Sequence, residues 1–245
     1  MVKNTIKYIL QFLLGYSNYL YVFAIFKIKS IQKDNLEKDF FHFLSLLKDG
    51  SGDVIDIGAN LGIMSFHLSK SLKTTKIHAF EPVPSNLIIF KKIIAKYKLK
   101  NIELYPYALG EEKGSVEMVL PYNGKTIMQG LSHVVHDSIS DWNEGERFDV
   151  VIDKLDNLLI NRKIQGIKVD VENFEYFVFR GGEKIIDKNL PIIYTELWDN
   201  ENRVKCFDFL HAKGYTANLV VDDILVPYDV SKHETQNFIF IPKSV

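Results

Sequence analysis

The stretch VIDIGANLGIMSF, Val54 to Phe66, changes its period within a few residues. Val54, Ile55 and Ile57 around Asp56 have the apolar density of a buried strand. Gly58 and Gly62 punctuate a turn, and the segment that follows has helical spacing. A strand that runs into a helix through a glycine-rich turn is the opening unit of an α/β sheet. In such sheets ligands sit beyond the carboxyl ends of the strands. The helix begins near Leu61 and aims its free N–H groups at that spot; Ile63, Phe66 and Leu68 are expected to face the sheet.

The same alternation continues outward. KIHAFEP reads as a second strand, SNLIIFKKIIAKYKL as a helix with Ser85 as its N-cap, and NIELYPYAL as a third strand. After a less regular middle come GIKVDV, the helical NFEYFVFRGGEKIIDK, the strand PIIYTEL, the helix NRVKCFDFLHAKG, and the strands YTANLVV and NFIFIP. Strands alternating with helices predict an α/β fold, a parallel sheet with helices on both faces. The middle holds two strand-like runs, GSVEMVLP and RFDVVIDKL. The polar stretch between them, residues 121–146, reads as a long connection, either a functional loop or a disordered one.

The chain has 245 residues, room for one large domain. We divide it into an N-terminal helical segment, 1–50, and a main domain, 51–245. Net charge is −1 with no basic tract of domain size, so no nucleic-acid partner is expected. Cys206 is the single cysteine, which excludes an internal disulfide and zinc-type Cys clusters; it reads as a small packed residue in a helix. Residues 8–26, YILQFLLGYSNYLYVFAIF, are rich in apolar and aromatic side chains, and Gln11, Gly15, Ser17 and Asn18 interrupt them. The primary reading is one or two core-packing helices broken near GYSN. The alternative is peripheral membrane contact through residues 1–30, with Lys3, Lys7, Lys27 and Lys29 flanking the apolar block. The expected location is the cytoplasm, or the inner face of the membrane under that alternative.

A dinucleotide site needs G-x-G-x-x-G after the first strand. Here Asn60 and Ile63 stand where the second and third glycines belong, and no G-K-[ST] follows for a P-loop. What remains is D-x-G-x-N-x-G, with an acid, Glu81, at the end of the second strand. A carboxylate there can accept hydrogen bonds from ribose hydroxyls. A ligand with a ribose but no phosphate on the loop fits, and S-adenosylmethionine is such a ligand.

VIDIGANLGIMS, AFEPVPSN, PYALGEEKG, KLDNLL, IKVDVENFEYFVFRGG and PIIYTELW stand in the order and spacing of FkbM-type methyltransferases. The chain resembles that family from about Asp53 to Pro242. The resemblance implies a Rossmann-like class I methyltransferase sheet, S-adenosylmethionine as cofactor, and O-methylation of a hydroxyl, often on a sugar. It also implies that Asp56, Gly58, Ala59, Asn60 and Gly62 form the methionine side of the site, that Glu81 holds the ribose, and that Tyr107 and Ala108 lie near adenine. Asp170 and Glu172 belong to the family's K-x-D-V-E-G motif, whose glycine is Asn173 here. Asparagine tolerates left-handed backbone and can cap the next helix.

Methyl transfer to a sugar hydroxyl needs orientation and a base. Asp170 and Glu172, at the end of the fourth strand, are the best placed acids, and His133 in the middle stretch is a third candidate base. Glu196 and Trp198, past the fifth strand, are candidates for substrate binding, with Trp198 stacking on a sugar face and Tyr194 packed in the core. A divalent cation held by Asp170 and Glu196 is the less favoured variant, and no metal ligand is assigned. The alternative function is a non-catalytic cofactor- or glycan-binding module docked to a membrane or glycosyltransferase partner. A nicotinamide oxidoreductase is disfavoured by Asn60 and Ile63.

Overall fold

The computed structural model describes residues 2–34, 37–139 and 141–243, with side chains from Thr5 onward, so the side chain of Lys3 lies outside it. Two helices, α1 (Val2–Leu14) and α2 (Tyr16–Ser30), meet at Gly15, and α3 (Lys38–Leu46) follows. The first sheet units are β1 (Asp53–Ile57), α4 (Ile63–Ser71), β2 (Ile77–Phe80), α5 (Pro84–Tyr97) and β3 (Ile102–Tyr105). Then come β4 (Ala108–Leu109), β5 (Gly114–Asn123), β6 (Thr126–Ile127), β7 (His133–Val134) and β8 (Gly145–Asp153). The last part holds α6 (Leu155–Leu159), β9 (Ile164–Val169), α7 (Glu175–Gly181), α8 (Glu183–Asn189), β10 (Ile192–Glu196), α9 (Glu201–Ala212), β11 (Tyr215–Val221), β12 (Ile224–Pro227) and β13 (Asn237–Pro242).

The main sheet has the order β12-β11-β13-β10-β9-β1-β2-β3. Strands β3, β2, β1, β9 and β10 run parallel, and β13 pairs antiparallel with both β10 and β11. Chain order reverses between β1 and β9, the switch point where an open α/β sheet leaves a crevice. Helices cover both faces, as the alternation predicts. On one face Ile55, Ile57, Ile167 and Val169 pack with Val178, Phe179, Ile186 and Leu210 of α7, α8 and α9. On the other, Val54 packs with Phe40, Phe43, Leu68 and Tyr194. Tyr194 is therefore core, and Cys206 is fully buried on the inner face of α9.

Period two carries one consequence for function. Because Ile55, Ile57, Ile167 and Val169 face α7–α9, the intervening Asp56 and Lys168 point to the opposite face, and they are register partners across β1 and β9. Tyr194 is the next register partner, on β10.

Several expectations are corrected. Leu68 faces the sheet, but Ile63 and Phe66 pack against Leu20, Ala24 and Ile28 of α2, which lies over α4 and α5 as an added layer. The run NIELYPYAL is split: β3 ends at Tyr105, and Ala108–Leu109 pairs with β8 in a second sheet. The stretch 121–146 is not a plain loop. Its β6 and β7 pair back onto β5, because apolar Val134 and Ile139 bury against Met118, Val150 and Phe174. Pro84 takes the first turn of α5, so its N-cap is Val83 rather than Ser85. The run 173–188 is two helices, α7 and α8, broken at Gly182.

Gln11 of α1 holds the backbone of Ile127 in both directions, donating from Nε2 to its oxygen at 3.0 Å and accepting at Oε1 from its N–H at 3.1 Å. Among the described residues no single helix is long and apolar enough to cross a membrane; α1 and α2 pass that test only as a pair bent by 118°.

Candidate active site

The cavity at the switch point encloses about 610 Å³ of empty space, open to solvent. Its walls come from the loop after β1 (Gly58, Asn60), the end of β2 (Phe80, Glu81), the start of α5, β4, and the turn after β9.

The glycines of the first loop serve packing inside the protein. Gly58 and Gly62 have φ of +72° and +79°. A Cβ at Gly58 would collide with the Asp170 carbonyl, and one at Gly62 with the Phe90 ring. The first loop can thus lie flat against the β9 turn and α5, which is a different reason for glycine from close approach of a ligand.

Glu81 organises the ligand side of this loop. Its Oε2 accepts from the Asn60 N–H at 2.7 Å, and its Oε1 accepts from the Val83 N–H at 2.9 Å and Asn86 Nδ2 at 3.2 Å. A carboxylate has about four acceptor positions, so one on Oε2 is left, and Glu81 lines the cavity. Burial pushes its carboxyl up to about 7, against the pull of those three donors. The side-chain oxygens of Asn60 and Asn86, also on the cavity wall, have no protein partner. Buried oxygens without donors call for a ligand that carries hydroxyl or amine hydrogens.

Beneath the loop, Lys168 is 3% exposed. Its Nζ donates to the Gly58 carbonyl at 3.0 Å, and lies 3.4 Å from Asp56 Oδ1 and 3.3 Å from Asp170 Oδ2. The Asp56 contact has ion-pair distance without hydrogen-bond alignment. Burial opposes the charge, but the Asp170 and Asp56 carboxylates more than offset it and hold the ammonium above the ordinary lysine range. Asp56 is wholly buried, and its other oxygen accepts from Ser65 Oγ at 2.5 Å.

The turn after β9 carries two consecutive left-handed residues, Glu172 (φ 55°) and Asn173 (φ 72°). Glu175, 1% exposed, accepts there from the N–H groups of Val171 and Asn173, and from Asn202 Nδ2 at 2.7 Å. Asn173 does not cap α7, whose N-cap is Phe174; its Oδ1 accepts instead from Asn200 Nδ2 at 2.7 Å. Burial first, then the Asp170 and Glu196 charges, push the Glu172 carboxyl well above the carboxylate range. Burial and then Asp170 push Glu196 upward as well. Glu37, from the segment before α3, is raised by burial and feels both Lys168 and Asp170.

Of the residues expected from sequence, Gly58, Asn60, Glu81, Tyr107, Ala108, Asp170 and Glu172 line this cavity together. Asp56, Ala59 and Gly62 sit behind the wall. His133 and Trp198 line a second cavity, of about 530 Å³ of empty space, which shares Glu172 with the first. His133 Nδ1 faces the Leu131 carbonyl at 2.9 Å and Nε2 faces Asn143 Oδ1 at 3.2 Å, two acceptors of which a neutral imidazole donates to only one. Asn86, Lys168 and Glu175 were not anticipated. Lys168 alone had a signal, a lysine alternating with Ile167 and Val169 in a buried strand. Among the described residues no group of three or more His, Cys, Asp or Glu is arranged to hold a metal ion.

The chain matches the model of the methyltransferase FkbM domain over residues 56–218. It is 22% identical over 174 residues to "Methyltransferase 1" of Beauveria bassiana (strain ARSEF 2860), covering 65% of this chain and 68% of that protein. Its fold is similar to that of an FkbM methyltransferase from Methylobacillus flagellatus KT, with a TM-score of 0.58 at 14% identity. That match covers 98% of this chain, which spans 59% of the length of the other. A precorrin-6y C5,15-methyltransferase from Geobacter metallireducens GS-15 has a TM-score of 0.50 at 14% identity, over 86% of this chain and 92% of that one.

Proposed function

The chain belongs to the FkbM methyltransferase family, and on that premise we propose that it is an S-adenosylmethionine-dependent O-methyltransferase acting on a hydroxyl of a sugar or glycan. The observation that carries this reading is the free acceptor position on Glu81 beside the partnerless oxygens of Asn60 and Asn86. Together they suit a ribose diol and an amino group and leave no place for a phosphate.

When bound, the cofactor supplies an electrophilic methyl group. The protein supplies orientation and proton handling. We assign ribose binding to Glu81, the adenine wall to Tyr107 and Ala108, and the methionine side to Gly58 and Asn60. Asp56, Ala59 and Gly62 support that loop from behind. Asp170, ion-paired with Lys168 and open to the cavity, is assigned as the base that takes the hydroxyl proton. Glu172, protonated near neutral pH, donates a hydrogen bond to the acceptor. His133, whose nitrogens face the Leu131 carbonyl and Asn143 Oδ1, holds the 131–143 segment in place. Glu196 and Trp198 are assigned to the acceptor side.

Isothermal titration with S-adenosylmethionine tests the cofactor assignment: Glu81→Ala should weaken binding at least tenfold, and unchanged affinity would overturn it. Radiolabelled methyl transfer into fractionated surface-glycan, capsule and small-molecule pools tests the acceptor class; label confined to protein or nucleic acid would refute it.

A membrane-facing role for α1 fits the same reading. Ile6, Ile9, Phe12 and Leu13 are 53%, 47%, 75% and 69% exposed, a face suited to the inner surface of a bilayer where membrane-borne glycans are built. Vesicle flotation of the intact chain and of Phe12→Glu/Leu13→Glu tests it. Equal recovery of both with the vesicles, or of neither, would remove it.

A further inference from the structure

The second cavity carries information about the acceptor that the first does not. The chain has two tryptophans in 245 residues, and both line this one cavity. Trp142 comes from the 121–146 stretch and Trp198 from the loop after β10, so the two residues reach the cavity from separate elements. Trp142 has a φ of +60°, a conformation costly for a bulky residue. The backbone there is bent in a way that local propensity does not favour, at the point where it carries a tryptophan to the cavity.

The charge of the lining is equally informative. Asp141 and Glu172 contribute carboxyl groups, and among the described lining residues there is no lysine or arginine. His133 is the one lining side chain able to carry positive charge, and its two nitrogens face the Leu131 carbonyl and Asn143 Oδ1 rather than the open cavity. The Asn143 amide is itself fixed, because its Nδ2 donates to the Ile139 carbonyl at 2.8 Å. Two arginines beyond the wall are engaged elsewhere: Arg203 donates to the carbonyls of Leu197 and Thr235, and Arg147 pairs with Glu117. An anionic ligand would meet these carboxyl groups with no lysine or arginine of the lining to pair with. The apolar C–H face of an uncharged sugar ring suits an indole, and its hydroxyls suit the Asp141 carboxylate.

We propose that the cavity between Trp142 and Trp198 is the acceptor subsite and that it admits an uncharged sugar ring, excluding uronic acids, sialic acids and sugar phosphates. This rests on the reading of the first cavity as the cofactor site, and it narrows the acceptor class within that reading. Glu172, common to both walls, marks the side from which the ring presents its hydroxyl to the base.

The test uses the full chain saturated with S-adenosylhomocysteine and reads its tryptophan fluorescence. The titrants are methyl glycosides of glucose, galactose, mannose and rhamnose, with glucuronic acid and glucose 6-phosphate as charged counterparts. At least one neutral glycoside should change the emission saturably, with a Kd at least tenfold lower than either charged sugar. Trp142→Ala and Trp198→Ala, each followed through the remaining tryptophan, should weaken that binding at least tenfold and leave S-adenosylhomocysteine affinity and melting temperature near wild type. Trp198→Phe, which keeps an aromatic face, should retain most of it. Equal or tighter binding of the charged sugars, loss of no affinity in the alanine variants, or no saturable response to any neutral glycoside would overturn the proposal. Absence of S-adenosylhomocysteine binding to the wild type would instead refute the cofactor reading, so the two failures are distinct.

Discussion

The Lys168 ammonium lies 3.3 Å from the Asp170 carboxylate while its other face is bound to β1, through the Gly58 carbonyl and Asp56. One buried cation thereby joins the acid at the end of β9, proposed above as the base, to the loop after β1 that lines the same cavity.

Lys168→Met should be costly for fold and function together. It leaves Asp56 wholly buried with only Ser65 as a partner, and removing one member of a buried ion pair costs about 3–5 kcal/mol. Urea denaturation should show that loss, and kcat should fall more than tenfold. Asp56→Asn combined with Lys168→Met should recover at least half of the stability and little of the kcat. A single variant of wild-type stability would refute the pairing.

Cofactor affinity should rise with pH through Glu81. Its carboxyl is pushed up to about 7, and ribose hydroxyls donate to the ionised form. A ligand that selects the ionised form binds about tenfold more weakly one unit below that value, so affinity at pH 6 should be about a tenth of that at pH 8. Isothermal titration across this range measures it, and Glu81→Gln should bind weakly with a flat profile.

Glu175 should make the ligand-free protein less stable as pH rises. Burial pushes its folded-state carboxyl up to about 7 from an ordinary 4.5. The unfolded chain loses this proton near 4.5 and the folded chain keeps it until about 7, so stability falls between those values and levels off above. The linked loss is on the order of 3 kcal/mol. Glu175→Gln should make the fall of the denaturation midpoint between pH 5 and 7 shallower, the rest of the slope coming from Glu81, Glu172 and Glu196; an unaltered slope would refute the assignment.

Asn173 should tolerate glycine and reject a branched residue. Glycine relieves a left-handed φ of 72° but gives up the hydrogen bond from Asn200; each effect is about 1 kcal/mol. Asn173→Gly should thus stay within about 1 kcal/mol of wild type, and Asn173→Val should lose about 2 kcal/mol or more. Thermal denaturation distinguishes the two.

The parts legible in the sequence were those written locally. The switch from period two to period 3.6 across Val54–Phe66 announced β1 and α4, and an acid closing the next strand singled out Glu81. What was not legible depends on partners far along the chain. Ile63 and Phe66 turn from the sheet because α2, some forty residues earlier, covers α4. Lys168 finds its role only beside Asp56. His133 reaches the second cavity and not the first because β7 pairs back onto β5. The 121–146 stretch looked polar because its buried residues, such as Val134 and Ile139, are few and spaced irregularly around a second small sheet.

Gly58 and Lys168, joined by a 3.0 Å hydrogen bond, are 110 residues apart in sequence, and this sets the order of events when the chain folds. β1, β2, β3 and their helices can assemble early from near neighbours. The floor of the cavity cannot exist until β9 has inserted against β1, and contacts of such long loop closure form slowly. During synthesis the first half of the chain would therefore carry Gly58 without the Asp170 turn it lies against. Competence to bind the cofactor should appear abruptly, with the last strands, rather than grow with secondary structure.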